Sequence, residues 1–122
     1  MSRELLISVI DDDEPFRTAL VEALGSLGYG ALGYASAEDF IAEETNLSCD
    51  CVITDLHMPG ISGLDLKRLL TAWDSKVPVI MITARAEPGL EARAAAAGAV
   101  CLLRKPFEST HLVQCLSKAL KA

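Results

Sequence analysis

The sequence predicts a doubly wound α/β fold, with five parallel strands and helices on both faces of the sheet. Apolar runs recur that are short enough for strands and too continuous for a half-solvated sheet: Leu5–Ile10, Cys51–Ile53, Val77–Ile82 and Ala99–Leu103. Between them lie segments with apolar residues at helical spacing, bounded by Pro, Gly, Ser or Asp. Strand and helix alternate with short joints, and right-handed crossovers then distribute the helices over both faces.

The elements follow in order. The first strand, Leu5–Ile10, ends at Asp11-Asp12-Asp13-Glu14, and Pro15 then opens a helix whose acidic first turn suits the helix dipole. Phe16, Leu20, Ala23, Leu24 and Leu27 mark its apolar stripe until Gly28 stops it. A weaker strand runs from Tyr29 to Tyr34, and Ser36-Ala37-Glu38-Asp39 is a variant capping box opening a short helix with Phe40 and Ile41. The third strand, from Cys51, delivers Asp55 to its carboxyl end before the loop Pro59–Gly63. A helix with Leu64, Leu66, Leu69, Leu70 and Trp73 follows, with Trp73 expected as a core or helix contact. Val77–Thr83 forms the fourth strand, Pro88–Ala97 an alanine-rich helix closed by Gly98, Ala99–Leu103 the fifth strand, and Glu108–Leu120 the last helix.

A chain of 122 residues, 51% hydrophobic and 23% charged, reads as one globular domain spanning residues 1–122. Its net charge of −6 argues against gripping DNA or an acidic membrane unaided, because phosphate binding needs a basic surface. The apolar stretch near Met1 is too short for a signal peptide or membrane span, which predicts a cytoplasmic protein. Cys49, Cys51, Cys101 and Cys115 fall in strand and helix patterns and read as small core residues, without the clustered pairs of a zinc site.

Ligands of open parallel sheets bind beyond the carboxyl ends of the strands. In the flavodoxin-like order 2-1-3-4-5, those ends bring together Asp11, Asp12 and Asp13, Asp55, Thr83 and Lys105. Carboxylates gathered in one cleft repel one another unless a cation joins them. Hard oxygen donors without a His or Cys cluster point to magnesium. Three carboxylates, Asp11, Asp12 and Asp55, balanced by one divalent ion and the Lys105 ammonium, suit a site that receives a phosphoryl group. Asp55, on the middle strand, is the candidate nucleophile for an acyl phosphate. Asp13 and Glu14 read instead as a solvated helix start, and the side chains of His57 and His111 as exposed.

Val9-Ile10-Asp11-Asp12-Asp13-Glu14-Pro15-Phe16-Arg17, Ile53-Thr54-Asp55-Leu56-His57-Met58-Pro59-Gly60, Ile82-Thr83-Ala84 and Lys105-Pro106-Phe107 together resemble the receiver domain of bacterial two-component response regulators. The resemblance covers the whole chain. It implies that Asp55 is the phosphoacceptor for a phosphohistidine on a sensor histidine kinase or phosphotransfer protein. It also implies magnesium on Asp12, Asp55 and the backbone carbonyl of His57, with Asp11 acting mainly through water. Thr83 and Lys105 contact the phosphoryl oxygens in this scheme, and Pro106 is expected to be cis. By the same resemblance, His57 and Arg85 occupy positions that in the family tune loss of the phosphoryl group. The output face in the family is the fourth helix, fifth strand and fifth helix, through which a homodimer is expected. Ser36-Ala37-Glu38-Asp39-Phe40 and Gly98-Ala99-Val100 look most like receivers of the nitrogen-fixation regulator type, which precede a DNA-binding domain.

One departure concerns the switch. Where the family has Tyr or Phe three residues before the lysine, this chain has Leu102, which predicts a muted or differently built change coupled to Thr83. Three rival readings are weaker. A flavin mononucleotide carrier needs a Ser, Thr and Gly-rich loop where Asp11–Glu14 stands. An aspartyl phosphatase needs an acid two residues after its nucleophile, where His57 stands. A receiver-like module that is never phosphorylated rests on Leu102 alone. The expected class is therefore a signalling module whose only catalysis is its own phosphorylation and slow dephosphorylation.

Overall fold

The structure, a computed structural model, describes residues 4–43 and 48–121. Its elements are β1 (Leu6–Ile10), α1 (Glu14–Ser26), β2 (Gly30–Tyr34), α2 (Ala37–Ala42), β3 (Cys51–Asp55), α3 (Gly63–Ala72), β4 (Val79–Thr83), α4 (Leu90–Ala96), β5 (Cys101–Arg104) and α5 (Ser109–Leu120). The five strands form one parallel sheet in the order β2-β1-β3-β4-β5, as expected. Met1–Arg3, which precede the short apolar stretch noted above, lie outside the described residues. No helix among the described residues is long and apolar enough to cross a membrane.

Alternation along the buried strands divides the core into two layers. Ile7, Val9, Cys51, Ile53, Ile80 and Ile82 face α1 and α5, where they meet Leu20, Leu24, Leu112 and Leu116. Ile10, Val52, Val79 and Met81 face the other side, against Phe40 of α2, Leu66 and Leu70 of α3, and Leu90 and Ala94 of α4. With both faces covered, β3 and β4 are buried at every residue, which explains their unbroken apolar sequences.

Local signals set the ends of the helices. Asp13 caps α1 by accepting from Phe16 N at 3.2 Å, and Ser36 caps α2 by accepting from Asp39 N at 3.0 Å. Gly28 and Gly98, with φ of 96° and 94°, follow α1 and α4 in the left-handed region that favours glycine. Gly63 opens α3 hard against the third strand: a Cβ there would lie 2.5 Å from the Asp55 carbonyl oxygen.

Some side-chain expectations are corrected. Trp73 is 47% exposed: α3 ends at Ala72, and Leu66 and Leu70 already occupy the face turned to the sheet. Leu27 is 44% exposed and Ala23 is exposed, because the buried stripe of α1 narrows to Leu20 and Leu24 and Leu27 caps the helix end. β4 begins at Val79 instead of Val77, β5 covers Cys101–Arg104, and α4 begins at Leu90, after Gly89 in a left-handed conformation. The Lys105–Pro106 peptide is cis.

Candidate functional site

Three strand ends and one loop build the site. Asp11 follows β1, and its backbone is tied down on both sides: its N–H donates to the Tyr34 carbonyl at 3.0 Å, and Arg17 donates to its carbonyl at 2.7 Å. Its side chain is fully buried, with Oδ1 accepting from Asp13 N at 2.9 Å. Asp55 ends β3 and is 6% exposed; its Oδ1 accepts from His57 N at 2.8 Å. Asp12 is exposed beside them, and one carboxylate oxygen from each of the three lies within 4.8 Å of the others.

Lys105 closes the cleft from the β5 side. Its Nζ lies 2.9 Å from Asp11 Oδ2, out of hydrogen-bond alignment, and donates to Asp55 Oδ2 at 3.2 Å. The same Nζ sits 4.1 Å from the centre of the Phe16 ring, which meets Phe107 edge-on at 5.9 Å. Backbone fixes the approach as well, since Lys105 N donates to the Thr83 carbonyl at 2.7 Å.

The electrostatics are those of a cation-deficient cleft. Burial, more than the nearby Asp55 charge, pushes the Asp11 carboxyl above its ordinary range despite the facing Lys105 ammonium and the hydrogen bond from Asp13 N. For Lys105, burial works against the ammonium, but Asp11 and Asp55 together outweigh it and hold its pKa above the ordinary value. Three carboxylates against one ammonium leave two negative charges. A divalent ion with oxygen preference matches both that charge and the donor set, so the residues fit magnesium.

Thr83 is buried at the end of β4, but its hydroxyl is turned along the chain. It accepts from Arg85 N at 3.0 Å. Leu102 pairs with Met81 in the sheet register, is half-buried against the core layer under α4, and lines an open groove with Thr83, Arg85 and Leu90.

Several contacts had no signal in the sequence. His57, expected to be exposed, is half-buried, and its Nε2 lies 3.1 Å from Glu87 Oε1, so the loop after β4 reaches over the loop after β3. Glu38 of α2 accepts from Ile61 N at 3.2 Å across 23 residues of sequence. Phe16 was visible as a helical apolar position and within the first matching stretch, but nothing in its spacing marked it as the seat of Lys105.

This arrangement, a carboxylate at the end of the middle strand flanked by two acids and a lysine in a doubly wound sheet, defines a phosphoacceptor signalling module. The family profile of the response regulator receiver domain matches residues 7–117, and the chain belongs to that family. Within it the chain is similar to regulators of the FixJ type. It is 35% identical over 115 residues to the transcriptional regulatory protein FixJ of Bradyrhizobium diazoefficiens, covering 94% of this chain and 56% of that protein. It is 33% identical over 119 residues to the response regulator protein TmoT of Ectopseudomonas mendocina, covering 98% and 54% respectively. The crystal structure of FixJ-N superposes with a TM-score of 0.89 at 32% identity, covering 98% of this chain and 96% of that one. The chain thus spans about half the length of the curated relatives it matches.

Proposed function

We propose that Asp55 accepts the phosphoryl group and that residues 1–122 act as one receiver domain. The observation that carries this is the placement of the Asp55 carboxylate between the acids Asp11 and Asp12 and the Lys105 ammonium, 3.2 Å away. The donor is a phosphohistidine on a sensor histidine kinase or a phosphotransfer protein. An Asp55 oxygen attacks phosphorus, the P–N bond breaks, and the leaving imidazole takes up a proton. Asp11, Asp12, Asp55 and the His57 backbone carbonyl would hold magnesium, which supplies charge neutralisation for the phosphoryl oxygens when bound.

Lys105 then exchanges its bond to Asp55 Oδ2 for a phosphoryl oxygen, which its seat on Phe16 allows without a large movement. The Thr83 hydroxyl now accepts from Arg85 N, and a swing toward the phosphoryl group breaks that bond. That departure frees the loop carrying Glu87, and with it the contact over His57. A pre-existing equilibrium between two arrangements of this loop is thereby shifted. Leu102 borders the same groove without an aromatic ring to swing, so the report to the face of α4, β5 and α5 runs through packing. His57 and Arg85 flank the approach of water to phosphorus and set the slow self-dephosphorylation.

The acidic charge fits a domain that makes no nucleic-acid contact of its own, works in the cytoplasm without a membrane, and forms a homodimer through the α4, β5 and α5 face. Incubation with acetyl phosphate and magnesium, followed by intact mass, tests the central step. A single phosphoryl adduct is expected on the parent and none on Asp55→Asn. An undiminished adduct on the variant would overturn the assignment.

A further inference from the structure

A pair of free thiols lies on the opposite side of β5 from Leu102. Cys101 opens β5 and Cys115 sits two turns into α5, and both contribute to the core layer shared by β5 and α5. Their thiols are close enough to share a hydrogen bond, and both line the open groove of about 940 Å³ between the strand and the helix. Cys115 is buried and Cys101 half-buried, so an oxidant entering the groove meets Cys101 first. The other two thiols are arranged differently. Cys49 and Cys51 lie two residues apart but belong to opposite core layers, and neither lines the groove.

We propose that Cys101 and Cys115 form a reversible disulfide that staples α5 to β5 when a peroxide is present. The Cys101 thiolate attacks one peroxide oxygen; the O–O bond breaks, a sulfenic acid forms and hydroxide leaves to be protonated. Cys115 sulfur then attacks Cys101 sulfur; the S–S bond forms, the S–O bond breaks, and water departs with the Cys115 proton. Two thiols and one peroxide give one disulfide and two waters, the two electrons passing from sulfur to oxygen. Burial first, and then the hydrogen bond to Cys101, push the Cys115 thiol up to about 12, so Cys115 enters the exchange as a thiol whose proton leaves with the departing water. In a reducing compartment the bond lasts only while oxidant does. The staple would fix one face of β5, directly beside the residue at the switch position.

The test is peroxide treatment of the full chain, read by intact mass and by mapping of linked peptides without reductant. The parent should lose about 2 Da, and its free thiols should drop from four to about two, with dithiothreitol reversing both. Cys101→Ser, at the more accessible position, should retain its thiols under the same treatment. A Cys49→Ser, Cys51→Ala double variant should still form the link. A Cys49–Cys51 link, a disulfide between two chains, or oxygen addition to Cys101 with no link would each overturn the proposal.

Discussion

On the β1 and β3 side of the cleft, both buried carboxylates are already held: Asp11 by Asp13 N and the Lys105 ammonium, Asp55 by His57 N and the same ammonium. On the β4 and β5 side, the Thr83 hydroxyl is engaged with Arg85 N, and Leu102 is half-buried beside a groove with no polar atom of its own to move. Lys105 belongs to the second side by sequence and to the first by contact. The comparison teaches that, on the proposed reading, accepting a phosphoryl group would need little rearrangement in this chain, whereas reporting it would need one side chain to let go and another to repack.

The largest expected effect comes from removing the cation that joins the two sides. Lys105→Met leaves Asp11 and Asp55 without their ammonium, and its phosphorylation by acetyl phosphate should slow by roughly 100-fold. Urea unfolding without magnesium should show a loss of about 3 kcal/mol. Retention of the parental rate would show that the acid side works without Lys105.

Gly63→Ala comes next. Its Cβ would press 2.5 Å from the Asp55 carbonyl oxygen, a backbone atom that cannot step aside, and a loss of about 2 kcal/mol in chemical denaturation is expected. A loss no larger than an ordinary helical substitution would show that α3 is not seated tightly on the strand end.

Asp11→Asn should act in the other direction. The buried carboxyl has a folded-state pKa above its ordinary value of 3.8, so the cost of ionising it is absent below that value and builds as pH rises through the folded pKa. The amide can still accept from Asp13 N. The variant should therefore be more stable than the parent at neutral pH, with the gain vanishing as pH falls toward 3.8. Thermal melts across that range check it, and a gain independent of pH would assign the effect to something other than charge.

The smallest effect on phosphorylation is expected at the reporting side. Leu102→Tyr restores an aromatic ring beside Thr83 and should leave the rate of adduct formation within about threefold of the parent. Chemical-shift changes around β5 on phosphorylation should grow in the variant. Equal changes in both proteins would mean that leucine already couples as well as an aromatic does.

How much of this was legible in the sequence follows the same division. Asp11, Asp12, Asp55, Thr83 and Lys105 could be listed because strand ends in a parallel sheet converge, and apolar runs reveal where strands end. The pairs Phe16 with Lys105, Glu38 with Ile61 N, and His57 with Glu87 could not, because they join elements whose relative placement periodicity does not encode. Trp73 failed for a related reason. An apolar residue at helical spacing is buried only if the helix still faces the sheet, and α3 ends one residue before it. The orientation of the Thr83 hydroxyl is a rotamer chosen by Arg85 N, below the level that residue type or spacing can specify.

The position of Lys105 has a consequence for how the domain is handled in a cell. Because the ammonium is tethered to the chain and reaches both buried carboxylates, the protein carries its own counter-ion. Small domains that depend on a metal to fold collapse when it is withdrawn. With that internal counter-ion the domain is expected to stay folded under a chelator, so that magnesium loading would act as a condition on signalling instead of a condition on structure.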